Sequence, residues 1–306
     1  MKRYKILFLT ILAIFTLSAC NYVTNTPQEP RIIQPELVQE NFYTLADGET
    51  IDIYAHSDRH KLYRLSNGAV ILTESKGAFH DILNYEDESY NFKEDDIFLQ
   101  LDENVQKTIL AHYHDMGKLY NIEAELENAY AIYQRRVNEG ITYWTGESDE
   151  EGVVRFHGPS ITQRTFMTGY NDTFICFATE LYKPLPITLQ PSKEDYEVYQ
   201  TVETLSGDYG FATIFDVKTG EIINQYDMFT LPADKIGETL LSIPNYLSDE
   251  ERNVMIEKLK PEYISFEKEH LFITYPHESI DKLGHTIPFE YHEVQYLLQP
   301  WAIPKR

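Results

Sequence analysis

The sequence predicts an α+β fold: an antiparallel sheet of hairpins packed by several helices and preceded by a small β-rich N-terminal unit. Strands are indicated by runs such as residues 211–215, Phe-Ala-Thr-Ile-Phe, which alternate with the period of two that is typical of a strand. Turn-forming sequences follow several of these runs. Helices are indicated by residues 103–139, where apolar side chains recur at intervals of three and four. Together the two patterns predict sheet and helix in one chain.

The first residues have the composition of a secretory signal. Lys2, Arg3 and Lys5 precede an apolar run over residues 6–17, and small residues follow it. The run is too short to cross a bilayer, which takes about 20 helical residues. Because it ends in Leu-Ser-Ala-Cys, the signal resembles a bacterial lipobox, which implies that Cys20 becomes the first mature residue and carries a lipid. An ordinary cleaved signal or a signal anchor is the alternative.

The chain after the signal at residues 1–19 divides into four predicted parts. Residues 20–41 are polar and proline-containing, and a flexible tether of this length spans about 25 Å root-mean-square. A small β-rich region follows over residues 42–100. A proline-containing connector then separates residues 101–190, a helix-plus-hairpin half, from residues 191–306, the C-terminal half of the same larger domain.

Two tight-turn sequences organise the small β-rich region. Asp47-Gly48 and Asn67-Gly68 are each followed by strand-like residues, at 50–54 and 69–73. Their similar spacing predicts paired hairpins. An acidic stretch at 85–96 is predicted to be solvated surface, because it lacks the alternating Asp-x-Asp-x-Asp-Gly order of a calcium-binding loop.

Residues 103–139 are predicted to form two helices, with a break at Gly117 and an end at Gly140. The first helix contains His112 and His114. Side chains two residues apart on a helix point about 200° apart, so these histidines are not expected to share a metal ion, although they could do so on a strand. We therefore expect no metal site and no cofactor.

Further strands are predicted at residues 141–145, 153–157, 163–169, 173–182 and 196–204. A turn at 169–172 joins two of them into a long hairpin. The apolar surroundings of Cys176 predict a buried thiol that acts as a small hydrophobe. After the strand at 211–215, Gly220 is expected to take positive φ in a turn, and a short helix is expected to begin at Tyr226.

The C-terminal part is predicted to combine three helices with a hairpin. The helices are residues 233–241, 249–259 and 289–298, and the hairpin strands are residues 263–266 and 271–275. Ser248 and Glu251 have the spacing of a capping box at the start of the second helix. Pro288 suits the first turn of the last helix.

The chain is strongly acidic, with a formal net charge of −23. Removal of the signal, which carries three basic and no acidic residues, takes this charge to −26. Such a protein is not expected to bind nucleic acid, because that affinity depends on Lys and Arg neutralising phosphate. It is not expected to adhere to anionic lipid either, so the lipid on Cys20 is the predicted link to the membrane. A basic partner is favoured through electrostatic steering, although net charge also serves solubility.

Two groups of motifs resemble one family. The first is an Asp-x-Lys-Thr-Gly turn at residues 216–220, followed by Tyr-Asp-Met-Phe at 226–229. The second comprises residues 271–275, Gly284, residues 287–289 and Leu297-Leu298. This order resembles the extracytoplasmic domains of RsiV-type anti-sigma factors and PdaC-type peptidoglycan deacetylases. The resemblance covers about residues 100–303, best from 190 onward.

In RsiV-type proteins this domain is a receptor for the cationic enzyme lysozyme, so the resemblance implies a binding role. The family usually has Thr-Gly-Gly-Ala-His-Gly before its strand, whereas residues 205–210 here are Leu-Ser-Gly-Asp-Tyr-Gly, with Tyr209 in place of the histidine. We recognise no sigma-binding segment, spanning helix or deacetylase module in the sequence. Signalling through a sigma factor and deacetylation are therefore not expected.

No sequence motif of a hydrolase, a zinc protease or a phosphate-binding loop is found, so we expect a non-catalytic protein. Tyrosine is abundant, at 23 residues, and exposed tyrosines offer rigid contact area to a partner. The candidate partner-binding residues are Asp208, Tyr209 and Tyr170. We expect an extracytoplasmic, membrane-anchored lipoprotein that binds or senses lysozyme, another cationic protein or cell-wall glycan. The alternative is a cell-wall-modifying hydrolase with an unrecognised site.

Overall fold

The computed structural model describes residues 38–55, 60–75, 97–140, 159–193, 204–280 and 284–305. The larger of two sheets has eight strands. Its strands, in spatial order, are β1 (Val38–Thr44), β2 (Thr50–Ala55), β3 (His60–Leu65), β4 (Val70–Ser75), β5 (Ser160–Tyr170), β6 (Phe174–Pro184), β7 (Ser206–Asp216) and β8 (Ile222–Ile223). Neighbouring strands are antiparallel except for β4 and β5, which are parallel. The strands of the N-terminal region thus belong to the same sheet as the later hairpin.

A second sheet and six α-helices complete the described fold. The second sheet has the order β11-β10-β9 and is formed by β9 (Ile264–Phe266), β10 (His270–Tyr275) and β11 (His285–Glu290). The α-helices are α1 (Ile97–Gln100), α2 (Glu103–Met116), α3 (Ile122–Asn138), α4 (Ala233–Leu240), α5 (Asp249–Lys258) and α6 (Tyr291–Val294). Short 3₁₀ turns occupy Ile187–Leu189, Gln225–Met228, Pro261–Tyr263 and Gln295–Leu297. The predicted α+β fold class is confirmed.

The first half of β6 and the second half of β7 are buried on both faces, because alternate side chains meet different layers. On one face, Phe177 and Phe215 pack with Tyr113 of α2 in edge-on ring contacts. On the other face, Cys176 and Ile214 pack in the core that also contains the second sheet. Burial of each such large apolar side chain contributes about 2 kcal/mol. The central strands therefore join the helical layer to the second sheet.

Two hairpins form the N-terminal strands, as predicted. Leu45 N donates a hydrogen bond to Glu49 O at 2.9 Å, and Leu65 N donates one to Ala69 O at the same distance. Glycine occupies the tight position of each turn. Strands β2 and β4 coincide with the strand-like residues predicted after the turns.

The turn after β7 also confirms its prediction. Gly220 has φ of 74°, and a Cβ at this position would lie 3.0 Å from the Cβ of Thr108 in α2. Both the backbone conformation and the close approach of α2 therefore require glycine. The Asp216 carboxylate accepts hydrogen bonds from the backbone N–H groups of Lys218 and Thr219, which fixes the turn.

Local sequence features, such as a glycine break and a capping box, correctly predicted the positions of most helices. Helices α2 and α3 are separated at Gly117, and the short helix predicted to begin at Tyr226 is present as a 3₁₀ turn over Gln225–Met228. Helix α5 begins with the predicted capping box: Ser248 Oγ accepts from Glu251 N at 3.2 Å, and Ser248 N donates to Glu251 Oε2 at 2.9 Å. Cys176 is fully buried, as expected, and burial raises the pKa of its thiol to about 11.

The predicted final helix over residues 289–298 is wrong at its start. Pro288 and Phe289 belong to β11, and the helix that follows is only the four residues of α6. Burial alternates along β11, with Ile287 and Phe289 inside and their neighbours exposed. Proline is tolerated because β11 is an edge strand, whose outer backbone groups need no partner in the sheet.

Residues 206–210, which were expected to precede the strand at 211–215, are part of it. They form the first half of β7 and pair in full register with β6, from Ser206 opposite Pro184 to Gly210 opposite Glu180. Glycine at two of these positions did not prevent strand pairing, since Gly207 pairs with Lys183 and Gly210 pairs with Glu180.

Several predictions fall outside the described residues. These are the signal and Cys20, the acidic stretch at 85–96, and the strands at 141–145, 153–157 and 196–203. Within the residues that the structure describes, no helix combines the length and the apolar character needed to span a bilayer.

Candidate functional site

The three predicted partner-binding residues lie in different places. Asp208 and Tyr209 are neighbours in β7, so their side chains point to opposite faces of the sheet. Tyr209 packs on the helical side, against the core that contains Leu181. Tyr170, at the end of β5, packs in the core beneath α2. The structure therefore does not bring the three side chains together, and only Asp208 faces the second sheet.

A cleft opens on that face, between β6 and β7 below and the second sheet above. Its floor contains the small residues Ala178, Gly210 and Ala212. Its walls are formed by Phe166, Glu180, Glu262, Tyr263, Ser265, Glu267 and Thr274. The cleft has a volume of about 70 Å³. It exists because the three floor residues are too small to fill the gap between the layers.

Residues 206–210 thus contribute to the cleft through one end. Gly210 lines the floor opposite Glu180, and Asp208 lies two residues further along the same face, paired with Tyr182. The His277 side chain contacts the backbone of Asp208: its Nδ1 lies 3.0 Å from both the backbone N and the backbone O of Asp208. The departure from the family motif at Tyr209 falls on the opposite face from the cleft.

One wall of the cleft already holds a cationic side chain. Arg164 and Glu180 are directly opposite each other on β5 and β6. Arg164 Nε donates to Glu180 Oε2 at 2.6 Å, and its guanidinium lies 5.3 Å from the centroid of the Phe166 ring. This ion pair is stabilised by contact with an aromatic face as well as by charge.

The other wall carries a looser pair at its outer rim. Lys260 Nζ lies 5.5 Å from the centroid of the Tyr263 ring and 3.9 Å from Glu262 Oε1. More than half of the Lys260 side chain is exposed. An aromatic ring and a carboxylate therefore occur together on both walls, each with a cation from the chain itself.

Glu267 differs from these two glutamates. Its carboxylate accepts a hydrogen bond from Ser265 Oγ at 3.3 Å, and no lysine or arginine among the described residues forms an ion pair with it. Burial raises the pKa of Glu267; the Ser265 hydrogen bond opposes this shift, the negative charge of Glu180 adds to it, and the nearby His270 opposes it. Desolvation also raises the pKa of Asp208; Glu180 adds to this shift, whereas Arg164 and His277 oppose it. Glu267 is thus the carboxylate of the cleft that has no lysine or arginine ion pair among the described residues.

The cleft was not predicted, because its floor and walls come from strands that are distant in sequence. Nothing in the sequence after β9 separated Glu267 from the neighbouring Glu269. The two histidines considered above as metal ligands lie in different surroundings. His112 packs edge-on against Tyr113 and Phe215, whereas His114 is exposed beside Asp115. In the described part of the chain, no three His, Cys, Asp or Glu side chains converge as metal ligands.

A second buried carboxylate was also missed. Glu74 of β4 accepts hydrogen bonds from Tyr63 Oη and Tyr120 Oη, each at 2.5 Å, and from Lys118 Nζ. Burial alone would raise the pKa of Glu74, but the donors from Lys118, Tyr120 and Tyr63 outweigh it and lower the pKa. This Glu74 cluster fastens β4 to the segment between α2 and α3. Gln163 of β5 assists, since its side chain bonds Leu119 N and Gly117 O.

Comparison with known proteins gives structural neighbours only. The sequence matches no protein-family model and no curated protein. A DUF3298 family protein from Pseudomonas aeruginosa PAO1 is similar with a TM-score of 0.30 and 11% identity, over 57% of this chain and 71% of that one. A DUF3298 family member from Bacteroides fragilis NCTC 9343 is similar with a TM-score of 0.34 and 11% identity, over 86% and 92%. The structural likeness is therefore to bacterial proteins of the DUF3298 family.

Proposed function

We propose that this chain is a non-catalytic binding or sensing module, held outside the cell membrane by a lipid on Cys20. Its partner is a cationic protein such as lysozyme, or a cell-wall component. The observation that carries the proposal is the cleft between the two sheets, where Glu267 has no lysine or arginine ion pair among the described residues.

The electrostatics of the cleft support a cationic partner. A carboxylate that is partly removed from water is stabilised by an opposite charge. A cation placed beside Glu267 would compensate it and lessen the repulsion from Glu180. The net charge of the chain would steer such a partner toward the protein. Phe166 and Tyr263 also line the cleft and add aromatic contact surface.

The anchoring part of the proposal rests on the sequence. The apolar run and the Leu-Ser-Ala-Cys ending favour lipid attachment at Cys20, and the polar residues after it would place the folded part beyond the lipid headgroups. Growth of a bacterial host with a labelled fatty acid should give a labelled protein, and Cys20→Ser should abolish the label. Label on the serine variant would contradict the assignment of Cys20.

Binding is tested with the full-length protein in non-ionic detergent micelles. Titration with lysozyme at low salt should give a saturable complex, and its affinity should fall steeply as salt is raised, because exposed charges are screened. Inactive, charge-reversed lysozyme prepared by succinylation serves as the control and should not bind. Absence of a saturable complex at low salt with lysozyme and with other basic proteins would remove the cationic-protein proposal.

A cell-wall-modifying hydrolase is the second candidate, and one observation favours it. Burial raises the pKa of Glu267 in a cleft that also contains Glu180, and a carboxyl with a raised pKa next to a second carboxylate is the arrangement of a general acid. Incubation with purified wall fragments distinguishes the two candidates. Turnover that Glu267→Gln abolishes would support the hydrolase, whereas binding without turnover supports the module.

A further inference from the structure

We infer that the cleft receives the guanidinium group of an arginine side chain of the basic partner, with Glu267 as its counter-ion. This inference rests on the proposed function and names the chemical group that the cleft binds. It is supported by the shape of the cleft, by the position of Glu267, and by the way the chain places one of its own arginines.

Arg164 shows how this cleft holds a guanidinium. It lies against the ring of Phe166 while its Nε bonds the Glu180 carboxylate at 2.6 Å. Planar guanidinium stacks on aromatic faces and donates in a fixed fork to carboxylates, which a lysine ammonium does not do. The wall formed by Tyr263 and Glu267 offers the same two elements to a group that enters from outside.

Glu267 is the wall glutamate that has no lysine or arginine ion pair among the described residues. Its carboxylate is partly buried, accepts one long hydrogen bond from Ser265 Oγ, and experiences the negative charge of Glu180, which the nearby His270 opposes. Within the residues that the structure describes, both other wall glutamates are near a cation, Arg164 or Lys260. A cation bound at Glu267 would give all three wall glutamates a neighbouring positive charge.

The depth of the cleft favours guanidinium over ammonium. Ammonium is the more strongly hydrated ion, so it loses more solvation when it enters a partly closed site. The chain's own cations follow the same order: 59% of the Lys260 side chain is exposed, against 41% of the Arg164 side chain, which lies beside the cleft. The small floor at Ala178 and Gly210 leaves room for a flat group between the layers.

The experiment uses the full-length protein in non-ionic micelles and three probes: the amides of tri-arginine, tri-lysine and tri-citrulline. Dissociation constants are measured by calorimetry at low salt. Tri-arginine should bind at least about fivefold more tightly than tri-lysine, because it alone combines stacking with a forked hydrogen bond. Tri-citrulline, which has the shape without the charge, should show no binding.

Two substitutions at matched positions locate the site. Glu267→Gln should weaken tri-arginine binding by about tenfold, since a partly buried charge pair is lost. Glu269→Gln removes the same charge from an exposed residue two positions away and should weaken it by less than about twofold. Equal effects of the two variants would overturn the assignment of Glu267, and equal affinities for tri-arginine and tri-lysine would overturn the choice of guanidinium.

A third variant tests the cleft without changing any charge. A Cβ on Gly210 would have no neighbour closer than 3.9 Å, so Gly210→Val adds its side chain at a position where the floor is open. Its unfolding midpoint should stay near that of the parent protein, and tri-arginine binding should be lost. Retained binding in a folded Gly210→Val variant would place the arginine elsewhere.

The inference and the proposed function fail separately. If lysozyme binds the parent protein and Glu267→Gln equally well, the arginine site is wrong while the binding role stands. If tri-arginine binds with the predicted selectivity but no basic protein forms a complex, the cleft chemistry stands and the cationic-protein role falls.

Discussion

The Glu74 cluster and the cleft each contain a carboxylate that is removed from water, but they treat it in opposite ways. Glu74 accepts hydrogen bonds from two tyrosines and a lysine, and its pKa is lowered despite burial. Glu267 has one long hydrogen bond from Ser265, and its pKa is raised by burial. A carboxylate whose oxygens are hydrogen-bonded within the fold supports stability, whereas a carboxylate without an ion pair beside a cavity is suited to an external cation.

The largest expected effect is the loss of the satisfied carboxylate. Glu74→Ala leaves Lys118 and two buried hydroxyl groups without their acceptor, so we expect the free energy of unfolding to fall by about 3 kcal/mol or more. Urea denaturation of the full-length protein, followed by tryptophan fluorescence, measures this. A loss below 1 kcal/mol would show that the Glu74 cluster is not a structural anchor.

A smaller loss is expected when one donor of the same cluster is removed. Tyr120→Phe deletes a hydroxyl that donates to Glu74 Oε1 at 2.5 Å, and hydrogen bonds to charged groups contribute about 1.5–3 kcal/mol. The free energy of unfolding should therefore fall by about 1.5 kcal/mol. Tyr133→Phe, which removes a hydroxyl that bonds Asn67 at the surface, is the matched control and should change it by less than about 0.5 kcal/mol.

The smallest change is expected at the uncompensated carboxylate. Glu267→Gln removes a charge that the fold does not neutralise, so the free energy of unfolding should stay within about 0.5 kcal/mol of the parent value or increase slightly. Denaturation under the conditions used for Glu74→Ala measures the difference directly. A loss as large as that of Glu74→Ala would end the contrast between the two sites.

The pH dependence should have opposite signs at the two sites. For Glu74, whose pKa is lowered from 4.5, the stabilising contribution is present above 4.5 and is lost as the pH falls through the folded-state pKa. For Glu267, whose pKa is raised from 4.5, the contribution is present below 4.5 and is lost as the pH rises through the folded-state pKa. Comparing each Gln variant with the parent protein across pH 3–7 isolates these terms (about 4.5 being the unfolded value). Slopes of the same sign would contradict the comparison.

Binding of a cation should follow the second of these titrations. Protonation of Glu267 and Asp208 removes the charges that compensate the ligand, so tri-arginine affinity should fall as the pH decreases through their raised pKa values. Calorimetry at several pH values, with Glu267→Gln as the reference, checks this. An affinity that does not change with pH would indicate that neither carboxylate contacts the ligand.

The sequence predicted what depends on neighbours in the chain. The capping box of Ser248, the turn at Gly220 and the alternation in β7 are local, and each is confirmed. The strand at Pro288 was mistaken for a helix because proline suits both a first helical turn and an edge strand, and only the pairing with β10 decides between them.

The candidate site was much less predictable than the fold. Asp208 was singled out and faces the same side as the cleft, but Tyr209 was grouped with it although neighbours in a strand point apart. Glu267, Glu180 and Gly210 come together only when β6, β7 and β9 are layered. No spacing in the sequence encodes that contact, so the cleft could be identified only from the structure.

The parallel pairing of β4 with β5 has a consequence for how the chain assembles. All other neighbouring strands of the large sheet follow each other directly in sequence, whereas Thr73 and Glu74 meet Ser160 and Ile161 across the entire α1–α3 segment. Closing a long loop costs more chain entropy than forming a hairpin, so we expect this junction to form last during folding. Pulse labelling of amide hydrogens during refolding should then show β5–β7 protected before β4 is protected.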